Sequence, residues 1–189
     1  MKVSREQAAE NRERILDTAA RLFRERGFDG IGVADLMKNA GLTHGGFYGQ
    51  FESKEHLAEQ AVERALDQSE LKWQKATEGK SPREALKGVA AFYLSLRHVG
   101  DPGNGCAFAA LGPEATRREP GVRRAFTEAL KSRVARLMGL VAGRSEAERR
   151  RRSLSTMASL VGAVVLARAV DDPKLSTEIL KAVGETIEG

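Results

Sequence analysis

The chain has 189 residues, a length that suits one sizeable hydrophobic core or a small domain joined to a larger one. It is rich in Ala, Leu, Arg and Glu and only 5% aromatic, which favours helices, and no run of alternating β-branched residues is long enough to indicate a sheet. The net charge of +5 suits a partner that carries phosphate groups. The single cysteine excludes an internal disulfide and suits a reducing compartment.

The sequence shows no signal for secretion or membrane insertion. The N-terminus has charges at Lys2, Arg5 and Glu6 instead of the apolar segment of a signal peptide. The most apolar stretch, residues 154–170, is shorter than a membrane span and contains Arg168. We therefore expect a cytoplasmic protein that makes no membrane contact.

Residues 5–26 are predicted to form the first helix, with Ser4 as its N-cap. An apolar stripe with helical spacing marks the face that packs on the core, and it consists of Ile15, Leu16, Ala19, Leu22 and Phe23. The arginines of this helix alternate with acidic residues, which we interpret as a mostly solvated face. These arginines are Arg12, Arg14, Arg21 and Arg24. Residues 27–30 end the helix, and Phe28 is expected to anchor this turn in the core.

Residues 32–54 predict two short helices joined by a tight turn. The first of them has one apolar face, made of Val33, Leu36, Met37 and Ala40. Gly41 follows, where a helix C-terminus favours a residue free to adopt positive φ. Thr43 is a good N-cap for the second helix, whose Phe47 and Phe51 should point into the core. This is the helix-turn-helix pattern, with a plain αα-hairpin as the alternative.

The sequence of residues 40–57 is Ala-Gly-Leu-Thr-His-Gly-Gly-Phe-Tyr-Gly-Gln-Phe-Glu-Ser-Lys-Glu-His-Leu. It closely resembles the DNA-binding segment of TetR-family transcriptional regulators. In that family a small residue and Gly precede an apolar residue, Ser or Thr, a Phe/Leu-Tyr pair, Phe, Ser-Lys and Leu. The resemblance is strong over the first third of the chain and covers the rest only by layout. It implies an all-α fold, with a three-helix DNA-binding domain at 1–52 and a helical ligand-binding and dimerisation domain at 53–189.

The resemblance also implies which residues face double-stranded DNA. Thr43, His44 and Tyr48 would contact phosphates, and Lys54 matches a family lysine that contacts the backbone. Gln50 has the amide that makes a bidentate contact to adenine. The glycines of the segment permit close approach of the backbone. The full set of predicted DNA-binding positions is Gly32, Thr43, His44, Gly45, Gly46, Tyr48, Gly49, Gln50 and Lys54.

Two features depart from a simple basic DNA-binding head. Gly32 stands where family members often carry a Ser or Thr that caps the helix and donates to phosphate, so only its backbone N–H is available here. Residues 1–54 carry nine Lys and Arg against eight Asp and Glu. Contacts must therefore come from a few placed residues and helix N-termini. Lys2 and Arg5 are candidates for phosphate contacts, by resemblance to the N-terminal tails of the family.

Spacing predicts six further helices in the rest of the chain. Ser53 is the expected N-cap of the first of these, and Pro82 the first residue of the second. The glycine-rich residues 100–105 are predicted to form a loop. The predicted helices cover residues 54–78, 82–99, 106–112, 121–142, 145–170 and 175–187.

The helix over residues 145–170 is apolar nearly all round after its first charged turns. Such a helix needs cover on every side, and small residues along it would let another helix approach closely. We expect the last two helices to pair with the same helices of a second chain in a four-helix bundle, as in TetR-like homodimers. A buried helix in a monomer is the alternative. The predicted interface comprises Leu154, Ala158, Val161, Gly162, Val165, Ile179 and Val183.

The resemblance implies a small-molecule pocket in the body, where an inducer changes the separation of the two DNA-binding heads. No charged cluster dictates an acidic or basic ligand, so an apolar or aromatic compound is expected. For any single candidate, an ordinary core position is the alternative. The predicted lining residues are Trp73, Phe92, Tyr93, Leu96, Cys106, Phe108, Phe126, Leu130 and Met157.

Cys106 follows Gly103-Asn104-Gly105 at the expected start of a helix, where the helix dipole stabilises a thiolate. Some TetR-like regulators sense electrophiles or oxidants with a cysteine in a similar context. Cys106 is therefore a second candidate for the signal-receiving group, and a small buried apolar residue is the alternative.

Other functional classes have less support in the sequence. His44, His56 and His98 have no metal-binding spacing with Cys106, and neither a phosphate loop nor a nucleophile elbow is present, so we predict no metal, no cofactor and no enzyme. The sequence favours a homodimeric repressor that binds a pseudo-palindromic operator and is released by a small molecule or by modification of Cys106. The alternative is a helical protein-interaction adaptor without sequence-specific DNA binding.

Overall fold

A computed structural model describes the backbone of residues 4–188 and the side chains of residues 4–187. Every regular element in that range is a helix, as the sequence predicts. The α-helices are α1 (Arg5–Arg26), α2 (Val33–Asn39), α3 (Lys54–Thr77), α4 (Pro82–Tyr93), α5 (Leu96–Gly100), α6 (Ala107–Ala115), α7 (Pro120–Met138), α8 (Glu146–Ala169) and α9 (Pro173–Glu188). Two 3-10 turns, His44–Gly46 and Pro102–Asn104, complete the regular structure of the described chain. Lys2, a candidate phosphate contact, lies outside the described residues.

The helix starts follow the capping signals of the sequence. The Ser4 hydroxyl accepts a hydrogen bond from the Gln7 backbone N–H (3.1 Å), and Ser53 accepts one from His56 (3.0 Å). Ser81 forms a capping box with Glu84, and Pro82 is the first residue of α4. These contacts confirm the predicted starts of α1, α3 and α4.

Two hydrophobic clusters form most of the core. The first joins α1, α2 and the segment after it to the N-terminal half of α3 and to parts of α6 and α7. The second lies around Trp73, at the other end of α3, together with α4, α7 and α8. Because α3 contributes to both, it connects the head to the body as one continuous helix.

Three predicted helix bounds were wrong. The helix predicted over 82–99 is interrupted at Leu94 and Ser95, where Ser95 caps a new short helix by accepting from His98 (3.2 Å). The helix predicted to end at 112 continues through Pro113, whose missing N–H removes one bond within two residues of the helix end. Helix α7 ends at Met138, four residues early, at the first of two glycines in that turn, Gly139 and Gly143.

None of the helices between residues 4 and 188 combines the length and the apolar character needed to cross a membrane.

Candidate nucleic-acid interface

The recognition segment, which we define as residues 43–51, lies against the head core through two phenylalanines. Phe47 and Phe51 are almost completely buried, and their rings stack with centroids 5.8 Å apart. The predicted second helix of the motif is, in the structure, a single 3-10 turn at His44–Gly46 followed by a further turn. Glycines at three of nine positions account for this, since each costs about 1 kcal/mol in a helix relative to Ala.

The predicted DNA-binding side chains lie on the outside of this segment. Tyr48 is 69% exposed and contacts Phe47 and His44 through ring edges (5.2 and 5.8 Å between centroids). Gln50 and Lys54 are half-buried. The remaining positions of the predicted set are exposed, namely Gly32, Thr43, His44, Gly45, Gly46 and Gly49. The arrangement therefore presents polar groups and bare backbone on a rigid aromatic base.

The glycines here are not required by the protein's own packing. A Cβ built on Gly32 or Gly45 meets no atom within 4 Å, and one on Gly46 meets only ordinary contacts. Gly41 differs because its φ of 69° lies in the left-handed region, as predicted for the residue that ends α2. A side chain at position 45 would thus contact only a partner outside the chain.

Two arginines of α1 do not lie on a solvated face, contrary to prediction. Arg12 is half-buried and binds the recognition segment, and Arg24 is only 5% exposed. The helical spacing contains a signal for both, since Arg12 lies four residues before the buried Leu16 and Arg24 four residues after the buried Ala20. The alternating charges along α1 favoured a solvated face instead.

Comparison with known proteins identifies this head. The profile of "Bacterial regulatory proteins, tetR family" matches residues 15–61, which contain the buried stripe of α1, helix α2, the recognition segment and the start of α3. The chain thus matches the TetR family over residues 15–61. Its relatives by sequence are likewise named transcriptional regulators.

The sequence similarity is concentrated in the N-terminal part. The chain is 37% identical over 81 residues to the uncharacterized HTH-type transcriptional regulator YerO of Bacillus subtilis, covering 41% of this chain and 28% of YerO. It is 33% identical over 94 residues to the HTH-type transcriptional repressor KstR2 of Mycolicibacterium smegmatis, covering 49% and 46%. The matched stretch thus spans less than half the length of each of these relatives.

Solved structures extend the similarity of fold to nearly the whole chain. The reduced form of E. coli NemR has a TM-score of 0.78 at 22% identity, covering 95% of both chains. A TetR-family regulator from Cytophaga hutchinsonii has a TM-score of 0.83 at 22% identity, covering 99% of this chain and 96% of the other. At these identities the likeness establishes the fold, an N-terminal helix-turn-helix head followed by a helical body.

In the helical body, the face of α8 that points away from the core is open. Residues such as Met157 and Leu160 are buried, whereas Leu154 is 42% and Leu166 is 56% exposed. A Cβ on Gly162 would meet no atom within 4 Å. The predicted interface residues are all exposed or half-buried, namely Leu154, Ala158, Val161, Gly162, Val165, Ile179 and Val183. Within one chain, α8 is therefore covered on one side only.

The predicted ligand-lining residues do not form one group. Trp73, Tyr93, Cys106 and Met157 are buried together in the second cluster, with Phe108 and Leu130 packed against it. Phe126 belongs to the first cluster, where its ring lies 5.2 Å from that of Phe108. Phe92 and Leu96 are exposed. Seven of the nine predicted lining residues thus lie in or against a compact core, and the other two lie at the surface.

Two polar atoms in the second cluster lack partners. The Trp73 indole N–H and the Tyr93 hydroxyl are buried without a hydrogen bond to any described residue. Burial raises the pKa of Tyr93 well above its usual value, and the adjacent Cys106 raises it further. Such unpaired buried groups are uncommon in folded proteins and are natural contacts for a ligand or an ordered water.

Cys106 is the N-cap of α6 and is 4% exposed. It borders a crevice shared with Lys72, Phe92, Tyr93 and His98, whose free volume of about 10 Å³ suits a single water molecule. As folded, this crevice has no room for a larger molecule, so a ligand would have to displace its walls.

His98 does not form a nucleophile–base pair with Cys106. Its Nδ1–H donates to the Tyr93 carbonyl oxygen (2.7 Å), which leaves Nε2 to accept from the Cys106 backbone N–H (2.9 Å). Both ring nitrogens are thus engaged by backbone groups. Burial lowers the pKa of His98, and nearby Arg168 lowers it further against the opposing effect of the Tyr93 carbonyl.

Proposed function

We propose that the protein is a homodimeric transcriptional repressor that binds a pseudo-palindromic operator in the cytoplasm. The observation that supports this most directly is the recognition segment, whose polar outer face is held on buried Phe47 and Phe51. Several named relatives are repressors, including KstR2, E. coli NemR and the Staphylococcus aureus regulator IcaR. An adaptor that binds only proteins has no need for such a surface.

The proposed DNA contacts divide into two kinds. Thr43, His44, Tyr48 and Lys54 bind phosphates and fix the register of the head, while the Gln50 amide reads adenine in the major groove. The predicted glycines allow the backbone of the segment to approach the groove. Gly32 contributes its backbone N–H at the first turn of α2, where no side chain caps the helix.

The open face of α8 supports the homodimer. In the proposed four-helix bundle, Leu154, Ala158, Gly162 and Val165 of one chain meet their copies across a two-fold axis. Two heads related by that axis would lie roughly 34–36 Å apart, or modestly further, and would read inverted half-sites.

The proposed site of the release signal is the second hydrophobic cluster. A small molecule that displaces core side chains there would find the unpaired Trp73 N–H and Tyr93 hydroxyl as hydrogen-bond partners. Modification of Cys106 is the covalent route, by alkylation or by oxidation to a sulfenic acid. Because Cys106 is nearly buried, either route requires the crevice at His98 to open.

The test is fluorescence anisotropy with DNA from upstream of the gene, with a scrambled duplex of equal length for comparison. We expect tight, salt-dependent binding to one palindromic segment, weakened in Gln50→Ala and in Tyr48→Phe. Glu78→Gln, at the exposed end of α3 far along the chain from the motif, is the control. If the natural DNA gives only weak binding, selection from a random palindrome library gives the decisive result. Failure to enrich any sequence there contradicts the proposed function.

A competition assay on the same complex tests the signal. Addition of N-ethylmaleimide or of candidate apolar compounds should release the DNA. Loss of the N-ethylmaleimide response in Cys106→Ser, with retained response to an apolar compound, would assign two separate routes. An unchanged N-ethylmaleimide response in Cys106→Ser excludes the covalent route.

A further inference from the structure

The recognition segment has little secondary structure to hold its own shape. Its backbone hydrogen bonds are short-range, from Gly46 to Thr43 (3.0 Å), from Phe47 to His44 (3.1 Å), from Gln50 to Phe47 (2.9 Å) and from Phe51 to Phe47 (3.0 Å). Three glycines add freedom that an ordinary helix would not have. The Gln50 N–H is bonded within the segment, but no backbone N–H in the described part of the chain donates to the Gln50 carbonyl oxygen, so this oxygen must be held by a contact from another element.

One side chain supplies those contacts. Arg12, on α1, donates Nη1–H to the backbone carbonyl oxygen of Gln50 and Nη2–H to the side-chain oxygen of Gln60 on α3 (2.6 Å). Its guanidinium carbon lies 4.4 Å from the centroid of the Phe51 ring. A single residue thus joins α1, the recognition segment and α3 at the position next to Phe51.

The Arg12 side chain makes these contacts with other parts of the same chain. Its two terminal nitrogens are engaged by Gln50 and Gln60, and its flat face covers Phe51. The planar fork of arginine suits this triple role, which the single ammonium of lysine cannot reproduce. The carbonyl held by Arg12 belongs to the same residue whose side chain is the proposed reader of adenine.

We infer that Arg12 is a positioning residue for sequence recognition: it fixes the backbone of Gln50, and with it the direction of the Gln50 amide, without touching the DNA. The inference rests on the proposed function. Loss of Arg12 leaves the phosphate-binding groups in place and frees the base-reading end of the segment. Discrimination between operator and random DNA therefore falls, whereas electrostatic binding does not.

The experiment compares Arg12→Gln with Arg21→Gln, which removes the same charge from α1 where it pairs with Glu25 near the opposite end. Affinities for the selected operator and for a random duplex are measured by anisotropy between 50 and 300 mM salt. We expect Arg12→Gln to lose about tenfold in operator affinity, the size of one base contact, with unchanged affinity for random DNA. The slope of log Kd against log salt should match that of Arg21→Gln.

Two results would overturn the inference. One is operator affinity in Arg12→Gln equal to that in Arg21→Gln. The other is a slope smaller by about 0.9, which marks a lost phosphate contact and makes Arg12 a direct DNA ligand. If the wild-type protein itself shows no preference for any duplex, the proposed function fails and the role of Arg12 fails with it.

A readout without DNA separates positioning from general stability. Amide hydrogen exchange in the peptide that covers residues 44–52 should become faster in Arg12→Gln and stay unchanged in Arg21→Gln. Arg12→Lys provides a milder variant should Arg12→Gln fold poorly, and we expect intermediate discrimination from it. Unchanged exchange in this peptide in both Arg12 variants contradicts the inference.

Discussion

The Arg24 side chain donates a hydrogen bond from Nη1 to the backbone carbonyl oxygen of Gly105, the residue before Cys106 (3.1 Å). The same guanidinium donates to Ala20 O in α1 (2.8 Å) and to the Gln68 side chain in α3 (3.2 Å). Burial lowers the pKa of Arg24 to about 10, and it stays charged near neutral pH. The head helix α1 is thereby connected directly to the loop that leads into the proposed signal site.

Replacement of Arg24 by Met should lower the free energy of unfolding by about 1–3 kcal/mol, because it leaves the Gly105 carbonyl and the Gln68 amide without their donor. The matched control is Arg26→Met, which removes the same charge from an exposed position two residues later and should change stability by less than about 0.5 kcal/mol. Urea unfolding followed by circular dichroism measures both. Equal effects of the two substitutions would show that the buried hydrogen bonds contribute nothing.

A second connection between body and head runs through Arg118, which lies between α6 and α7. It pairs with Asp29 and with Glu55 (3.1 Å), and its guanidinium lies 4.9 Å from the centroid of the Phe28 ring. Arg118→Ala should destabilise the protein by about 1–3 kcal/mol, because the half-buried Glu55 loses its partner. Its exposed neighbour Arg117 is the natural control, and thermal unfolding of Arg118→Ala and Arg117→Ala gives the comparison. Similar midpoints for the two variants argue against a structural role of this network.

These arginines mark the limit of what the sequence alone predicts. Helix starts are local, so Ser4, Ser53 and Pro82 located α1, α3 and α4 correctly. The partner of Arg24 lies 81 positions away in the chain, and no local pattern identifies it. Ser95 carried a local capping signal, but the apolar spacing around it favoured an unbroken helix over 82–99, which was wrong.

The candidate site was predictable to a similar degree. The family resemblance identified the exposed residues of the recognition segment, whereas its 3-10 conformation depends on how glycines balance the stacking of Phe47 on Phe51. Periodicity predicted apolar residues in the body without separating buried Trp73 from exposed Leu96. Which apolar residues meet is decided by helix packing, and the sequence pattern does not contain that information.

The state of His98 predicts a pH dependence of stability. Because its pKa is lowered in the folded protein, the unfolded chain binds a proton near pH 6.5 that the folded chain does not. The contribution of neutral His98 to the free energy of unfolding is thus complete above pH 6.5. It is lost as the pH falls from 6.5 toward the lowered pKa. Arg168 and Lys72 oppose protonation electrostatically, while Asp101 and the Tyr93 carbonyl favour it.

Chemical unfolding between pH 5 and 8 measures this effect. The difference in unfolding free energy between wild type and His98→Gln should shrink as the pH falls below 6.5. His44→Gln, at an exposed position of the recognition segment, controls for the removal of a histidine. A constant difference for His98→Gln over the whole range would mean that the burial of His98 does not disfavour its charged form.

A substitution at Gly45 distinguishes the requirements of folding from those of DNA binding. A Cβ at this position meets no protein atom within 4 Å, and Ala has the higher helix propensity. Gly45→Ala should therefore leave the melting temperature unchanged or raise it slightly, and it should weaken operator binding if the backbone approaches the groove closely. The corresponding control is Gly112→Ala in α6, where a Cβ also meets no atom within 4 Å and no DNA contact is proposed. Full operator affinity in Gly45→Ala would place this part of the segment away from the DNA.

The open face of α8 gives a prediction about assembly. Gly162→Glu introduces a charge where a second chain is proposed to pack, and the single chain has space for the new side chain. The variant should remain folded by circular dichroism and should run as a monomer in light scattering at concentrations where the wild type is a dimer, because a charge buried without a partner is strongly disfavoured. Gln74→Glu adds the same charge to an exposed face of α3 and should leave the dimer intact. Because a monomer presents one head, Gly162→Glu should also lose most of its affinity for a palindromic operator while it keeps weak binding to a half-site. A dimeric Gly162→Glu variant with full operator affinity would place the two-fold contact on another surface of the body.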